Sequence, residues 1–318
     1  MQNYIHVAVG VIVNEEDQVL IALRPSDKDQ GGLWEFTGGK KEETETIESA
    51  LEREFAEELN IKLKSYFPLL KIKHNYEEIS VLLDVWMITD YIGIPKGLEG
   101  QRVEWRSLNS LECIDFPAAN KRIIRTIKLP KFLPITPNIA DLTSVKKIFK
   151  TYSKQGIKLV QFQQTQLKAN EYLSWFIEAQ IFAKEYDIEL LFDGDIENFD
   201  VSKADGFHAN SRRLMQMSNR PIASDKTFGA SCHNLIELKK AMGLNADYVS
   251  LSPVLQTSKY GDFYLGWPTF KKLAYEADIP VYALGGVGPE DLKTARLYGS
   301  YGVSGISSWF NRSEIKLG

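Results

Sequence analysis

From Phe132 onward the chain repeats one pattern: a short apolar run, an amphipathic stretch of helical period, then another short apolar run. The runs are "FLPIT", "KLVQF", "IELLF", "GFHA", "IASD" with "FGAS", "ADYVSLS", "IPVYALGG" and "YGVSGIS". Strands this uniformly apolar are buried on both faces, which demands parallel pairing with helices as the crossovers. Eight such segments separated by helices predict a (β/α)8 TIM barrel, whose chemistry sits at the C-terminal ends of its strands. No shorter repeat or low-complexity tract competes with that architecture.

A chain of 318 residues exceeds what one ordinary core serves, so a second domain is expected ahead of the barrel. In "LPKFLPITP", Pro130, Pro134 and Pro137 interrupt helical continuation and mark the boundary, giving domains at 1–129 and 130–318. The first domain reads as mixed α/β. "YIHVAVGVIV", "NEEDQ" and "QVLIALR" suit a hairpin, and "EEISVLLDVWMI" and "VEWRSL" are further strand-like runs. "FPAANKRIIRTIKL" reads as a short amphipathic helix with Ile123, Ile124 and Ile127 on one side.

With 44% hydrophobic and 25% charged residues the composition is that of a soluble globular protein. A net charge of -4 offers no broad attraction to a polyanion, so nucleotide chemistry must rest on local sites and duplex nucleic acid is not an expected partner. The start, "MQNYIHVAVGVIVNEEDQ", lacks a basic leader region and its apolar run is too short to span a bilayer, so a cytoplasmic location without a membrane partner is expected. Cys113 and Cys232 lie far apart and form no CxxC pair, which predicts two reduced thiols, with neither a disulfide nor a zinc site.

The densest chemistry lies in "GGKKEETETIESALEREFAEELNI", residues 38–61. Thr46 is a plausible N-cap, and Asn60 tolerates a left-handed terminal position better than most non-glycine residues. At about 100° per residue, Ile47, Ala50, Leu51, Phe55 and Leu59 fall on one face. Glu48 and Glu52 fall off it as solvated acids, whereas Glu54 and Glu58 project among Ile47, Ala50 and Leu51, with Glu57 at the edge beside Ala50. Carboxylates at the rim of a core face are costly unless neutralised or coordinated. The spacing puts Glu54, Glu57 and Glu58 on one side, and hard oxygen ligands suit magnesium or manganese. A plain salt-bridge network through Arg53 stands beside that reading.

The longer spacing, Gly39, five residues, Glu45, seven residues, then "REFAEELNI" from Arg53, resembles the Nudix box, with Asn60 where that family has glycine. The resemblance implies an N-terminal Nudix α/β/α sandwich that binds divalent metal, Mg2+ with Mn2+ as an alternative, through Glu54, Glu57, Glu58 and the Gly38 carbonyl. It also implies that Arg53 orients the acids and Glu45 supports the loop.

"HVAVGVIVNEEDQVLIALRPSD", "LWEFTGGK", "LEGQRVEWRSL" and "DFPAAN" are similar to the MutT branch over about residues 4–129. That branch hydrolyses oxidised guanine nucleoside triphosphates, such as 8-oxo-dGTP, to the monophosphate and pyrophosphate. The likeness implies substrate contacts from Arg24, Asp29, Glu35, Phe36, Thr37, Gly38 and Asn120, and brings Glu99 toward the attacking water. Asn120 also has a chemical rationale, since 8-oxoguanine presents a donor at N7 beside the O6 acceptor, and an asparagine amide offers the complementary pair. The plain alternative is that Asn120 caps the following helix. The chain departs from the branch in Thr37, where proline is usual, and in "NYEEISV", which lacks a basic residue.

"LPITPN", "KLVQF", "ADGFHA", "GASCHNLIELKKA", "ADYVSLSPVLQTSK" and "YALGGVGPEDL" resemble thiamine phosphate synthase and its TenI relatives across roughly 131–312. The resemblance implies a phosphate site at Gly285, Gly286, Ser307 and Ser308, and His233 in "SCHNLIE" matches the TenI histidine implicated in thiazole tautomer formation. Lys259 is a candidate phosphate contact, with a solvated loop lysine as the alternative. The synthases use a basic pair after the second strand and an acidic metal ligand after the third. Here Gln163 and Gln164 stand at the basic positions, and Asp193, Gly194 and Asp195 appear in altered order, which argues against synthase activity. Three functions follow: 8-oxo-dGTP hydrolysis, Nudix hydrolysis of a thiamine-pathway diphosphate, or a barrel serving as a thiazole phosphate tautomerase or ligand sensor.

Overall fold

A computed structural model describes residues 4–26, 31–77, 79–258 and 261–309. It divides into two compact units, Met1–Leu129 and Pro130–Gly318. Among the described residues no helix is long and apolar enough to cross a membrane. Cys113 is exposed and Cys232 buried, and both are free thiols.

The first unit runs β1 (Ile5–Ile12), β2 (Gln18–Leu23), β3 (Trp34–Glu35), β4 (Gly38–Lys40), α1 (Ile47–Leu59), β5 (Lys62–Asn75), β6 (Ser80–Ile92), β7 (Arg102–Ser107) and α2 (Asn120–Ile127). One sheet has the order β4-β1-β6-β5 and the other β3-β2-β7. In the first, β1 is parallel to β6, from Ile5↔Val81 to Ile12↔Ile88, and antiparallel to β4. The expected β1–β2 hairpin is a junction between sheets. The two strands meet at the bridge Val13↔Val19 and then take different partners, because β1 finds β6 and β4 while β2 finds β3 and β7. Strand β5 went unrecognised in the sequence: Pro68 interrupts its pattern, and register shifts at Leu63/Ser65, Ser65/Tyr66 and Pro68/Leu70 break the two-residue period.

Helix α1 buries Ala50, Leu51, Phe55 and Leu59, the face given by the 3.6-residue period. Each large apolar side chain in that row contributes about 2 kcal/mol by leaving water, which sets the rotation of the helix and so the direction of its acids.

The second unit contains β8 (Phe132–Pro134), α3 (Thr143–Lys154), β9 (Leu159–Phe162), α4 (Ala169–Glu185), β10 (Glu189–Phe192), β11 (Gly206–Ala209), α5 (Ser211–Gln216) and β12 (Thr227–Cys232). It continues with α6 (Leu235–Gly243), β13 (Tyr248–Leu251), α7 (Gly266–Glu276), β14 (Val281–Leu284), α8 (Leu292–Leu297) and β15 (Gly302–Gly305). The eight strands are parallel in the order β8-β15-β14-β13-β12-β11-β10-β9, and a bridge from Ile135 to Gln161 brings the ends together. This is the nearly closed TIM barrel the alternation predicts. Two short 3₁₀ turns, Ile196–Asn198 and Val201–Lys203, replace a crossover helix between β10 and β11. "IASD" is a turn and not part of a strand, because Arg220 takes the carbonyls of Ile222 and Lys226, and pairing starts only at Thr227.

The barrel interior carries a polar column. Fully buried His208 meets the Tyr248 hydroxyl through Nδ1 and the Ser231 hydroxyl through Nε2, both at 2.8 Å. Burial holds the His208 imidazole down to about 4, so it is neutral at physiological pH.

Candidate functional site

Thr46 Oγ1 accepts from the Ser49 N–H at 3.1 Å and starts α1, while Asn60 ends it in a left-handed conformation at φ 56°, ψ 37°. Between those caps, Arg53 gathers three acids and one carbonyl. Its Nη1 donates to Glu54 Oε1 at 2.7 Å and Glu57 Oε2 at 3.1 Å. Its Nη2 donates to Glu45 Oε1 at 2.8 Å and the Lys40 carbonyl at 3.1 Å, and Nε reaches Glu45 Oε2 at 3.2 Å. Glu45 also accepts from the Glu42 N–H, so the guanidinium ties the loop at 40–45 to the helix. Glu52, off this side, accepts from the Tyr66 hydroxyl.

Glu58 leaves that network. It lines a cavity of about 90 Å³ with Glu35, Glu99, Arg24, Gln101 and Gly38. Burial first, then the nearby Glu54, Glu35 and Glu99 carboxylates, push its carboxyl up to about 8, while a hydrogen bond from the Gly38 backbone pulls the other way. Glu54 is raised as well, chiefly by burial. Arg24 Nη1 donates to Glu35 Oε2 at 2.7 Å.

Glu99 reaches the cavity because its loop docks on the C-terminal end of α1. The Leu98 N–H and Gln101 Nε2 donate to the Glu58 carbonyl, and the Lys96 N–H donates to that of Leu59. These contacts satisfy carbonyls that a helix end leaves open. Gln101 escaped the sequence reading, since a side chain that serves a backbone carbonyl 43 positions away leaves no local pattern.

A divalent cation fits this donor set by chemistry. The acids are hard oxygen donors, several are desolvated, and Glu58 is crowded by like charge. The Glu54 carboxylate also lies against Gly39 so closely that a Cβ there would come within 2.1 Å of Oε1. As the side chains lie, Glu54 and Glu57 are drawn onto Arg53, and among the described residues no three His, Cys, Asp or Glu side chains form a ready ligand group.

Beside the acids, Phe36 is buried and stacks on Phe116 at 5.7 Å and 22°. The Trp34 N–H donates to the Asp115 carbonyl, which fixes the loop at 115–119 to β3. Asn120 is buried as the first residue of α2. Ala119 occupies the N-cap with no side-chain hydrogen bond, so capping does not account for Asn120. Thr37 is buried and its carbonyl accepts from the Gly10 N–H. Asp29 lies outside the described residues.

In the barrel, a cavity of about 280 Å³ opens at the C-terminal ends of β9, β10 and β11, where Gln163, Gln164, Asp193 and Asp195 meet Asn210 and Arg213. Gln164 is committed inward: Nε2 donates to the Pro137 carbonyl, and Oε1 accepts from the Ile139 N–H. Arg213 was not anticipated. The pair "RR" in the sequence gives no sign of which arginine turns toward the strands.

Among the described residues, the other barrel candidates do not line that cavity. His233 Nδ1 donates to the Ser252 carbonyl at 2.7 Å, which puts a proton on Nδ1. Asn234, not His233, caps α6. Gly285 and Gly286 have φ of 92° and 72°, and a Cβ on them would come within 2.8 Å of Pro253 and 2.7 Å of Leu255, so close packing alone already requires glycine. Ser307 and Ser308 are exposed, and Lys259 lies outside the described residues.

The sequence pattern of the thiamine monophosphate synthase family matches residues 132–309, and that of the NUDIX domain matches 8–126. The chain is 36% identical to the 8-oxo-dGTP diphosphatase of Escherichia coli over 124 residues, covering 39% of this chain and 96% of that one. It is 38% identical to the 8-oxo-dGTP diphosphatase of Proteus vulgaris over 87 residues, 27% of this chain and 78% of that one. The thiamine-phosphate synthase of Fusobacterium nucleatum is 29% identical over 165 residues, 51% of this chain and 80% of that one. The acid-rich loop and helix thus sit in a unit whose relatives are MutT-type hydrolases, and the cavity in one whose relatives build thiamine phosphate: the chain is a Nudix hydrolase fused to a member of the thiamine monophosphate synthase and TenI family.

Proposed function

We propose that the Nudix unit hydrolyses oxidised guanine nucleoside triphosphates, 8-oxo-dGTP among them, to the monophosphate and pyrophosphate. The observation that carries this reading is Asn120, buried next to the loop whose Phe116 stacks on Phe36 and not engaged as a helix cap. Its amide complements the N7 donor and O6 acceptor of 8-oxoguanine, whereas ordinary guanine sets N7 against the amide oxygen. A desolvated mismatch of that kind discriminates strongly.

Glu54, Glu57, Glu58 and the Gly38 carbonyl would hold Mg2+, or Mn2+ in its place. When bound, the cation supplies charge neutralisation on the triphosphate and acidifies water. Arg53 holds Glu54 and Glu57 aligned through its two Nη1 hydrogen bonds. Arg24, at the cavity edge on Glu35, is assigned to the nucleotide. Glu99 faces the same cavity as Glu58 and is assigned to take the proton from water as its oxygen bonds to phosphorus and the P–O bond of the α–β phosphoanhydride breaks, separating the monophosphate from pyrophosphate.

The test is a substrate panel with full-length protein and Mg2+: 8-oxo-dGTP, dGTP, and pyrimidine and thiamine diphosphates. 8-oxo-dGTP should exceed dGTP in kcat/KM by more than about 100-fold, and Asn120→Ala should collapse most of that ratio. A preference untouched by Asn120→Ala would remove the pocket assignment, and a higher rate on the thiamine-pathway diphosphates would replace the substrate.

The His233 ring, held by its Nδ1–H on the Ser252 carbonyl, supports a second reading, for the barrel, as a proton-transfer or sensing site for a thiazole phosphate. Titration of the full chain with thiazole phosphate should give saturable binding; no binding removes that reading.

A further inference from the structure

Asp193 follows β10, at the end of the barrel where a divalent cation would be expected to sit with a diphosphate. Its side chain is 2% exposed, and both carboxylate oxygens are engaged from within the chain. Arg213 Nη1 donates to Oδ1 at 2.5 Å, and Gln161 and Gln163 each donate to Oδ2 at 2.8 Å. Arg213 also donates through Nη2 to the Asp193 carbonyl at 2.8 Å and through Nε to Asp195 Oδ1 at 3.2 Å.

The arrangement is held from both sides. Asn210 Oδ1 accepts from the Arg213 N–H and caps α5, which fixes the stem of the arginine. The Tyr172 hydroxyl accepts from the Asp193 N–H at 2.9 Å and donates to the Phe162 carbonyl, which fixes the aspartate.

A magnesium or manganese ion needs about six oxygen donors at short range. Asp193 instead faces a guanidinium and two amide N–H groups, all of which would repel an approaching cation. The charged groups lining the cavity are Arg213, Asp193 and Asp195, for a net charge of -1. A diphosphate arriving without metal would therefore meet a like-signed field and only neutral amides where cations are needed. The residues present do not fit the metal.

We propose that the Arg213 guanidinium stands in for the divalent cation at the barrel mouth, making it a metal-free pocket closed to diphosphate esters. The guanidinium satisfies Asp193 and Asp195, and as a permanent part of the chain it offers no open coordination position for a phosphate oxygen.

The test uses the full chain carrying Glu54→Gln, Glu57→Gln and Glu58→Gln, so that the three acids assigned to the Nudix cation do not compete. Electron paramagnetic resonance with Mn2+ should find no stoichiometric binding, and calorimetry with Mg2+ and inorganic pyrophosphate should give no heat of binding. Adding Arg213→Ala should create a site for one Mn2+ per chain, which Asp193→Asn then abolishes. Mn2+ bound with Arg213 intact and lost on Asp193→Asn would overturn the proposal, as would a folded Arg213→Ala chain, judged by circular dichroism, that gains no ion. Should Arg213→Ala fail to fold, the Arg213 Nε–H resonance of the chain with Arg213 intact decides: it should stay sharp as Mn2+ is added, and its broadening refutes the stand-in.

Discussion

Two arginines sit among acids in this chain, and they leave very different amounts of acid unanswered. Arg53 spends its donors on Glu45, Glu54, Glu57 and a carbonyl, leaving Glu58 crowded by Glu35 and Glu99 in a small cavity. Arg213 meets fewer acids, and two glutamine amides complete the coverage of the buried one. The first site is left short of positive charge, as the proposed cation site requires; in the second, both oxygens of the buried carboxylate are answered from within the chain. What separates them is how many lone pairs remain once internal donors are assigned.

The contrast can be broken most forcefully at Arg213. Arg213→Met should strip the buried Asp193 of its counter-charge and cost about 3–5 kcal/mol, read as an earlier urea transition. An unchanged transition would show that the two glutamine amides suffice.

Acid probes the barrel's self-sufficiency at another buried group. His208 is held down to about 4, whereas an unfolded histidine titrates near 6.5. Below about pH 6.5 the unfolded chain takes up a proton that the folded barrel refuses until about 4. Stability is therefore intact above 6.5, falls through that window by on the order of 3 kcal/mol, and levels off beneath it. His208→Gln should flatten that part of the pH profile relative to the unaltered chain.

On the other side of the comparison, Glu58→Gln should lower nucleotide hydrolysis by more than about 100-fold, since losing a direct oxygen ligand costs more than the roughly 10–100-fold lost with a group that only supports a ligand. Stability should hold or rise, since a neutral amide relieves the like-charge crowding at Glu58. Activity retained within a factor of two would mean the completing cation is held elsewhere. The smallest effect is expected at Asn60→Gly, where a glycine adopts the left-handed cap at φ 56° without strain and should shift stability by no more than about 0.5 kcal/mol.

Much of this was readable in the chain where the signal is local. The face of α1, its Thr46 cap and the left-handed Asn60 follow from period and residue type. The barrel strands announce themselves because two-sided burial leaves few polar positions to blur them. The missed features depend on partners far away in sequence. Strand β5 is broken by Pro68 and its bulges, so only pairing with β6 defines it. Arg213 reaches Asp193 across two neighbouring strand ends, and Gln101 serves a carbonyl on a helix it does not follow. The acids of α1 were correctly phased on the wheel, yet phase alone does not say that Glu57 lies on Arg53 while Glu58 turns toward Glu35 and Glu99.

The interruption in β5 also bears on how this protein behaves when crowded with copies of itself. β5 is the outer strand of the β4-β1-β6-β5 sheet, and at 14 residues it would be a long template for a neighbouring chain to join. Pro68 has no N–H to offer such a strand, the register shifts around it spoil a straight seam, and Lys62, Lys64, Lys71 and Lys73 line the same segment with repelling charge. The irregularity that hid this strand from pattern reading thus also guards the enzyme against edge-to-edge aggregation.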